Sequence, residues 1–211
     1  MRTWLKIVAW VVAIVGAPAL LMYLFFFDVW TVPADDPLLA ASIQPTLGAG
    51  DIVLVTRRTW VDRGNLLRCA DPETAGRFVV ARAIGRAGDN VAFNAETVSL
   101  DGQRTPSPRA CEVARLTVHD PRTDDDVPLA CSIEEYGDRS FPVLRSLDHP
   151  ENPTTLKVEP GRWFLVSDDR HIHLDSRDYG LIDPSTCQHV VFRLVGAAGF
   201  SDSERRLNII W

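Results

Sequence analysis

This sequence has no basic stripe, no CxxC pair, no internal repeat and, beyond Phe27, no helical period of useful length. Each absence narrows the function. With a formal net charge of -6 and no clustered Lys or Arg, nothing is present to meet a phosphate backbone, so nucleic acid is not an expected partner. Four cysteines without CxxC spacing are too few for a disulfide scaffold and offer neither a zinc nor a redox motif. A chain of 211 residues with 46% hydrophobic content holds one domain of ordinary size plus an appendage.

The appendage comes first. Ile7 to Phe27 carries no charge and is long enough to cross a bilayer as a helix. Gly16 and Pro18 lie inside it, which membrane helices tolerate. Trp4, Tyr23 and Trp30 fall near its ends, where amphipathic rings settle at headgroup level. Arg2 and Lys6 precede the run while Asp28, Asp35 and Asp36 follow it, so the N-terminus is expected in the cytoplasm and the remainder is expected to be exported. A cleavable leader would have a shorter apolar core and a small-x-small site directly after it. The expected organisation is therefore a membrane anchor over 1–28, single-pass in the inner (plasma) membrane, with a periplasmic or extracellular domain over 29–211.

That domain reads as all-β. Short runs rich in β-branched residues, separated by Gly, Pro, Asn and Asp, predict strands at Asp51–Thr56, Arg77–Ile84, Val91–Phe93, Thr97–Leu100, Thr154–Val158, Trp163–Ser167 and Val190–Val195. Thr31 to Ala41 reads as a connector, and 103–153, polar and carrying Asp124-Asp125-Asp126, as an insertion or long hairpin. All four cysteines lie beyond the apolar run, where an oxidising compartment permits pairing. Cys111 and Cys131 bracket a loop-like stretch and are the preferred pair; closing about 20 residues contributes roughly 3 kcal/mol in the chain-entropy model. A Cys69–Cys187 pair has no comparable argument behind it.

Three stretches carry the chemistry. Ala41 to Arg57, ASIQPTLGAGDIVLVTR, sets Ser42 before a Pro-Thr-Leu turn and an apolar strand. Taken alone, that is an ordinary turn serine. Arg77 to Phe93, RFVVARAIGRAGDNVAF, is strand, glycine-containing turn, aspartate, strand. Trp163 to Gly180, WFLVSDDRHIHLDSRDYG, is dense in Asp, Arg and His. In this order the three resemble the boxes of bacterial type I signal peptidases, membrane-anchored serine endopeptidases that remove signal peptides from exported preproteins. The resemblance covers most of residues 42 to 196 and leaves 103–153 unmatched. It implies Ser42 as nucleophile, signal peptides of exported preproteins and the lipid bilayer as partners, and no cofactor or metal. Arg82, Gly85, Gly88 and Asp89 match the second box; Asp168, Arg170, Asp175, Ser176 and Arg177 match the third, with Asp168 expected to pair with Arg82.

Two departures matter. The family's catalytic lysine should stand immediately before Arg82, and that position is Ala81. The only lysines are Lys6 and Lys157, neither placed to replace it, and Arg82 cannot deprotonate. A Ser/Lys mechanism needs a neutral amine to take the serine proton, so it is unavailable here. The second departure is His173, where the family places a serine beside the lysine. A neutral imidazole with an ordinary pKa near 6.5 is a competent general base, and Asp175 or Asp168 could hold its ring. Ala40 also stands where an earlier serine helps bind the oxyanion, which leaves the Ser42 amide as the expected donor. Ile43, Leu47, Val53 and Ile84 are candidate substrate walls that read equally well as core.

Three readings follow. In one, Ser42 and His173 form an altered Ser/His endopeptidase. In another, the chain is a catalytically silent relative that binds exported segments or partners at the membrane. A third takes Ala81 as a substituted lysine, against which His173 stands as a second, coordinated departure. His171-Ile172-His173-Leu174-Asp175 also spells HxHxD, but the further ligands that a zinc site requires are missing around it.

Overall fold

The computed structural model describes residues 2–57, 60–94, 97–147 and 153–210. The chain opens with α1 (Arg2–Val11), a π-helical turn (Val12–Gly16) and α2 (Ala17–Phe26), which follow one another without a break. The expected single spanning helix is thus three pieces, and no one helix among the described residues is long and apolar enough to cross a membrane. Pro18 supplies the physical reason. It has no N–H to offer the carbonyl one turn back, and the wider π register just before it absorbs the missing bond.

The rest is mainly β, as the alternation suggested. In chain order come β1 (Phe27–Thr31), α3 (Pro37–Ser42), β2 (Ile52–Thr56), β3 (Leu66–Ala70), β4 (Phe78–Arg86), β5 (Asn90–Phe93), β6 (Val98–Leu100) and β7 (Gln103–Arg104). There follow β8 (Arg109–Asp120), β9 (Asp125–Tyr136), β10 (Arg139–Arg145), β11 (Thr154–Lys157), β12 (Trp163–Val166), α4 (Ser176–Tyr179), β13 (Cys187–Val195) and β14 (Asn208–Ile209). Among the described residues seven strands form one sheet in the order β1-β2-β13-β3-β4-β12, with β14 on the side of β13. Within it β13 changes partner: Cys187–His189 pair with β3, and Val190 onward pairs with β2. A second sheet runs β11-β5-β6-β7 and a third β10-β9-β8.

The 103–153 segment, expected as an insertion or long hairpin, is built around the antiparallel β8–β9 hairpin. Apart from 148–152, which lie outside the described residues, it contains β7 and an antiparallel three-strand meander. One face of that meander, including Val118, Leu129, Cys131 and Leu144, closes over Ala41 of α3 and Ile172. The main core lies under the large sheet, where Leu39, Val53, Leu67, Ala81 and Val190 share one apolar cluster. A second cluster joins Ile84, Val91 and Phe164. Gly85 lets β4 lie this close to its neighbours, because a Cβ there would sit 2.7 Å from Val91 Cγ2. Gly88, at φ +95°, makes the turn into β5.

Both disulfides form. Cys111–Cys131 ties β8 to β9, and Cys69–Cys187 ties β3 to β13 across directly opposed residues. The connector expected over Thr31 to Ala41 differs from the reading, since its second half is α3. Asp36 caps that helix by accepting the Leu39 amide at 3.2 Å, and Pro37 occupies the first turn.

Candidate active site

Ser42 is the last residue of α3 and is fully buried. Its Oγ donates to the Leu39 carbonyl at 2.9 Å, inside its own helix. Its carbonyl accepts the Asp169 amide at 3.0 Å, which fastens α3 to the loop after β12. The expectation that the Ser42 amide would be free as an oxyanion donor meets an obstacle here. A helical residue at that position directs its N–H toward the carbonyl four residues back, that of Leu38.

Arg82 and Asp168 meet as expected. Arg82 Nε donates to Asp168 Oδ1 at 3.0 Å, and a second nitrogen donates to the Gly64 carbonyl at 2.9 Å. Thr46, from the turn after Ser42, donates to Asp168 Oδ2 at 2.5 Å. The guanidinium also stacks 4.2 Å from the Phe141 ring centre. Alternation along β4 turns Ala81 to the other face of the strand, where it is fully buried in the main core. It lies in one cross-strand row with Leu67 and His189.

His173 is held by a different carboxylate from the two expected. Asp168 is committed to Arg82. Asp175 accepts Arg177 at 2.8 Å and the Ser167 amide at 2.6 Å. The partner is Asp178, whose Oδ2 lies 2.9 Å from His173 Nδ1. Against a carboxylate Nδ1 donates, which leaves Nε2 of a neutral ring as a proton acceptor. The signal for Asp178 was legible as a capping box at the start of α4, in which Asp175 and Asp178 answer each other's amides. Burial pushes the Asp175 carboxyl up. The charge and hydrogen bonds of Arg177, with help from His173 and the Ser167 amide, outweigh it and hold the group well below the usual carboxylate range. No hydrogen bond joins Ser42 to His173.

His173, Asp175 and Asp178 bring potential metal-ligating atoms within 4.8 Å of one another. Arg177 already fills the electrostatic role of a cation there, and His171 is not in the group. No motif in the sequence pointed to Glu134 and Arg145, on β9 and β10. Glu134, buried, accepts Arg170 at 2.5 Å and pairs with Arg145 as well, so the meander is bonded to the third box from within. Arg177 completes the frame by donating to the Arg170 carbonyl at 2.8 Å.

One cavity borders α3 and another the turn after it. The first, about 600 Å³, is bounded by Trp30, Leu38, Leu39, Phe78 and the turn after β8. The other, about 390 Å³, is bounded by Gln44, Pro45, Leu47 and Leu116. All four wall candidates are buried core residues, and of these two cavities Leu47 borders the smaller. Half of the residues around the larger cavity lay in the connector, where no motif pointed to them, while Arg77 and Phe78 open the second box.

The family model described as "Signal peptidase, peptidase S26" matches residues 1–194. The chain is also similar to two proteins named "Signal peptidase I" from strains of Streptococcus pneumoniae, one of them serotype 4. Each is 24% identical over 149 residues, covering 66% of this chain and 70% of the relative.

Proposed function

The chain belongs to the signal peptidase family, and from that premise we propose that it is a membrane-anchored serine endopeptidase acting on signal peptides of exported preproteins, with Ser42 as nucleophile and His173, held by Asp178, as general base. One observation carries the reading. Thr46, Arg82 and Asp168, one from each of the three boxes, meet in a single buried node beside the Ser42–Asp169 link. In the proposed step His173 Nε2 takes the Ser42 Oγ proton as Oγ bonds to the scissile carbonyl carbon. The imidazolium then returns that proton to the leaving amine, and water releases the acyl group by the reverse sequence. Apo hydrogen bonds at such sites are often unformed and tighten with substrate, so Ser42 has to leave the Leu39 carbonyl when substrate enters.

The three helical pieces before β1 act together as the anchor. Their combined length is roughly 35 Å at helical rise. They turn Trp10, Ile14, Leu20 and Phe25 outward, each more than half exposed, an apolar surface that matches lipid rather than water. Arg2 and Lys6 before these pieces and Asp28, Asp35 and Asp36 after them favour an N-terminus in the cytoplasm and a β domain on the far side, periplasmic or extracellular.

Ser42 favours a second reading. It is fully buried, is bonded within its own helix, and faces no amine at Ala81. On that reading the chain binds exported segments or partners without cutting them. Purified full-length protein in detergent, given a model preprotein with a small-x-small site, separates the two. The enzyme reading expects cleavage that Ser42→Ala and His173→Ala each abolish. Binding without cleavage by the parent establishes the silent reading instead.

A further inference from the structure

The larger cavity is ready-made and bigger than the small side chains of a small-x-small site require. Leu38 and Leu39, in its wall, precede Ser42 by about one helical turn, roughly 5.4 Å. Trp30 and Phe78 stand edge to face with centroids 6.2 Å apart. The Arg68 guanidinium lies 5.1 Å from one ring and 4.4 Å from the other, which fixes both in place. A space of about 600 Å³ falls within the range of sites that enclose a sizeable ligand.

The charges at the rim are nearly all spoken for. Asp36 pairs with Arg77 at 2.9 Å, and Arg122 with Asp120 at 3.1 Å. Asp35 is exposed at the rim and has no ion pair among the described residues. Trp30 belongs to β1, which starts at the residue after α2, so a segment leaving the bilayer beside the anchor meets this wall early.

We propose that this cavity is a specificity subsite that takes a bulky apolar side chain, aromatic by preference, carried next to a basic residue on an extended segment of the exported polypeptide. The inference rests on the reading of Ser42 and its surroundings as a signal-peptide site. An aromatic ring would bury against Leu38, Leu39, Trp30 and Phe78, where edge-to-face contact adds to area burial. The neighbouring cation would answer Asp35.

The test uses full-length Ser42→Ala protein, which binds without turnover, and fluorescent peptides that share one small-x-small site. A Phe-Arg pair is walked through six positions upstream of that site, and each peptide is matched by an Ala-Gln control. Fluorescence anisotropy is expected to show at least tenfold tighter binding at one position of the pair. Phe78→Ala should remove the advantage of Phe over Ala. Asp35→Asn, at an exposed position outside the core, should remove the advantage of Arg over Gln together with its salt dependence. Equal affinity for all peptides overturns the proposal, as does an advantage that survives both variants. Cleavage of the Ala-Gln substrate by the parent chain is followed in parallel. If it is cut in a Ser42-dependent manner while all peptides bind alike, the subsite falls and the functional reading stands. If nothing binds and nothing is cut, both fall.

Discussion

Arg82 and Asp168 face each other at 3.0 Å with side chains 1% and 0% exposed, one on β4 and the other just past the end of β12. The pair therefore sits at the junction of the second and third boxes, and Thr46 adds the first. A charge buried this deeply is tolerable only while its partner remains.

Removing either partner should cost more than any surface ion pair in the molecule. Arg82→Ala leaves an unanswered buried carboxylate and is expected to lose about 3 to 5 kcal/mol in urea unfolding. Arg57→Ala, which breaks the exposed pair with Asp28, should lose less than about 1 kcal/mol. Equal losses would mean that the buried pair is not structurally dominant.

Ala81→Lys combined with His173→Ser rebuilds the family's arrangement on this backbone. The new amine would enter the apolar cluster that holds Leu39, Leu67 and Ala81, where burial favours its neutral form. Cleavage of a small-x-small substrate is expected to rise at least tenfold over the parent and to vanish with Ser42→Ala. Recovery should stay partial, because a missing oxyanion donor costs roughly 10²–10³ in rate and Ala40 supplies none. A folded double variant with no gain would count against a shared site geometry.

The two disulfides should differ in weight. Cys69–Cys187 closes a separation of 118 residues and Cys111–Cys131 one of 20. Loop-closure entropy then gives the long one about 5 kcal/mol and the short one about 3 kcal/mol. Replacing each pair by Ala and comparing denaturant midpoints checks the order; the short closure proving the more important would contradict it.

His189 predicts a pH dependence. Burial, followed by the nearby Arg139 and Arg82 charges, pushes its imidazole down to about 4 from an ordinary 6.5. Its Nε2 has no hydrogen-bond partner among the described residues. The folded pKa lies below the unfolded one, so the neutral ring's contribution is intact above about pH 6.5. That contribution is lost as pH falls from 6.5 toward 4, because the unfolded chain takes up the proton first. The loss should reach about 2 to 3 kcal/mol. His189→Gln should flatten the stability profile in that window, and an unchanged slope would assign the effect to other groups.

The sequence was legible where both faces of a strand are apolar or where alternation is clean. Phe78–Arg86 and Trp163–Val166 emerged within two residues of their observed ends. It gave no strand bounds where the alternation is broken. On β8 and β9 the buried set is sparse, Pro128 sits within β9, and the acidic run at 124–126 spans the turn and the first residues of β9. β1 was hidden because its first residue closes the apolar run before it and only Asp28 to Thr31 remain to show an alternation. At the candidate site, the family resemblance singled out Ser42, Ala81, Arg82, Asp168 and His173, and of these Arg82 and Asp168 meet as the resemblance implied. The partner of His173 lay in a local capping box that was not read as such, whereas the Glu134 bridge depended on a contact between distant segments, which no local pattern encodes.

The join between helix and sheet has a mechanical consequence. The Phe27 amide still bonds the Tyr23 carbonyl of α2, while the same residue already pairs with Thr56 in the sheet. No swivel separates the two. An anchor set in lipid would then fix the tilt and height of the whole β domain, and Ser42 would stand at a constant depth relative to the bilayer. Where a passing chain is cut would be decided in part by a distance that the backbone measures, in the manner of a depth gauge, before any side chain is recognised.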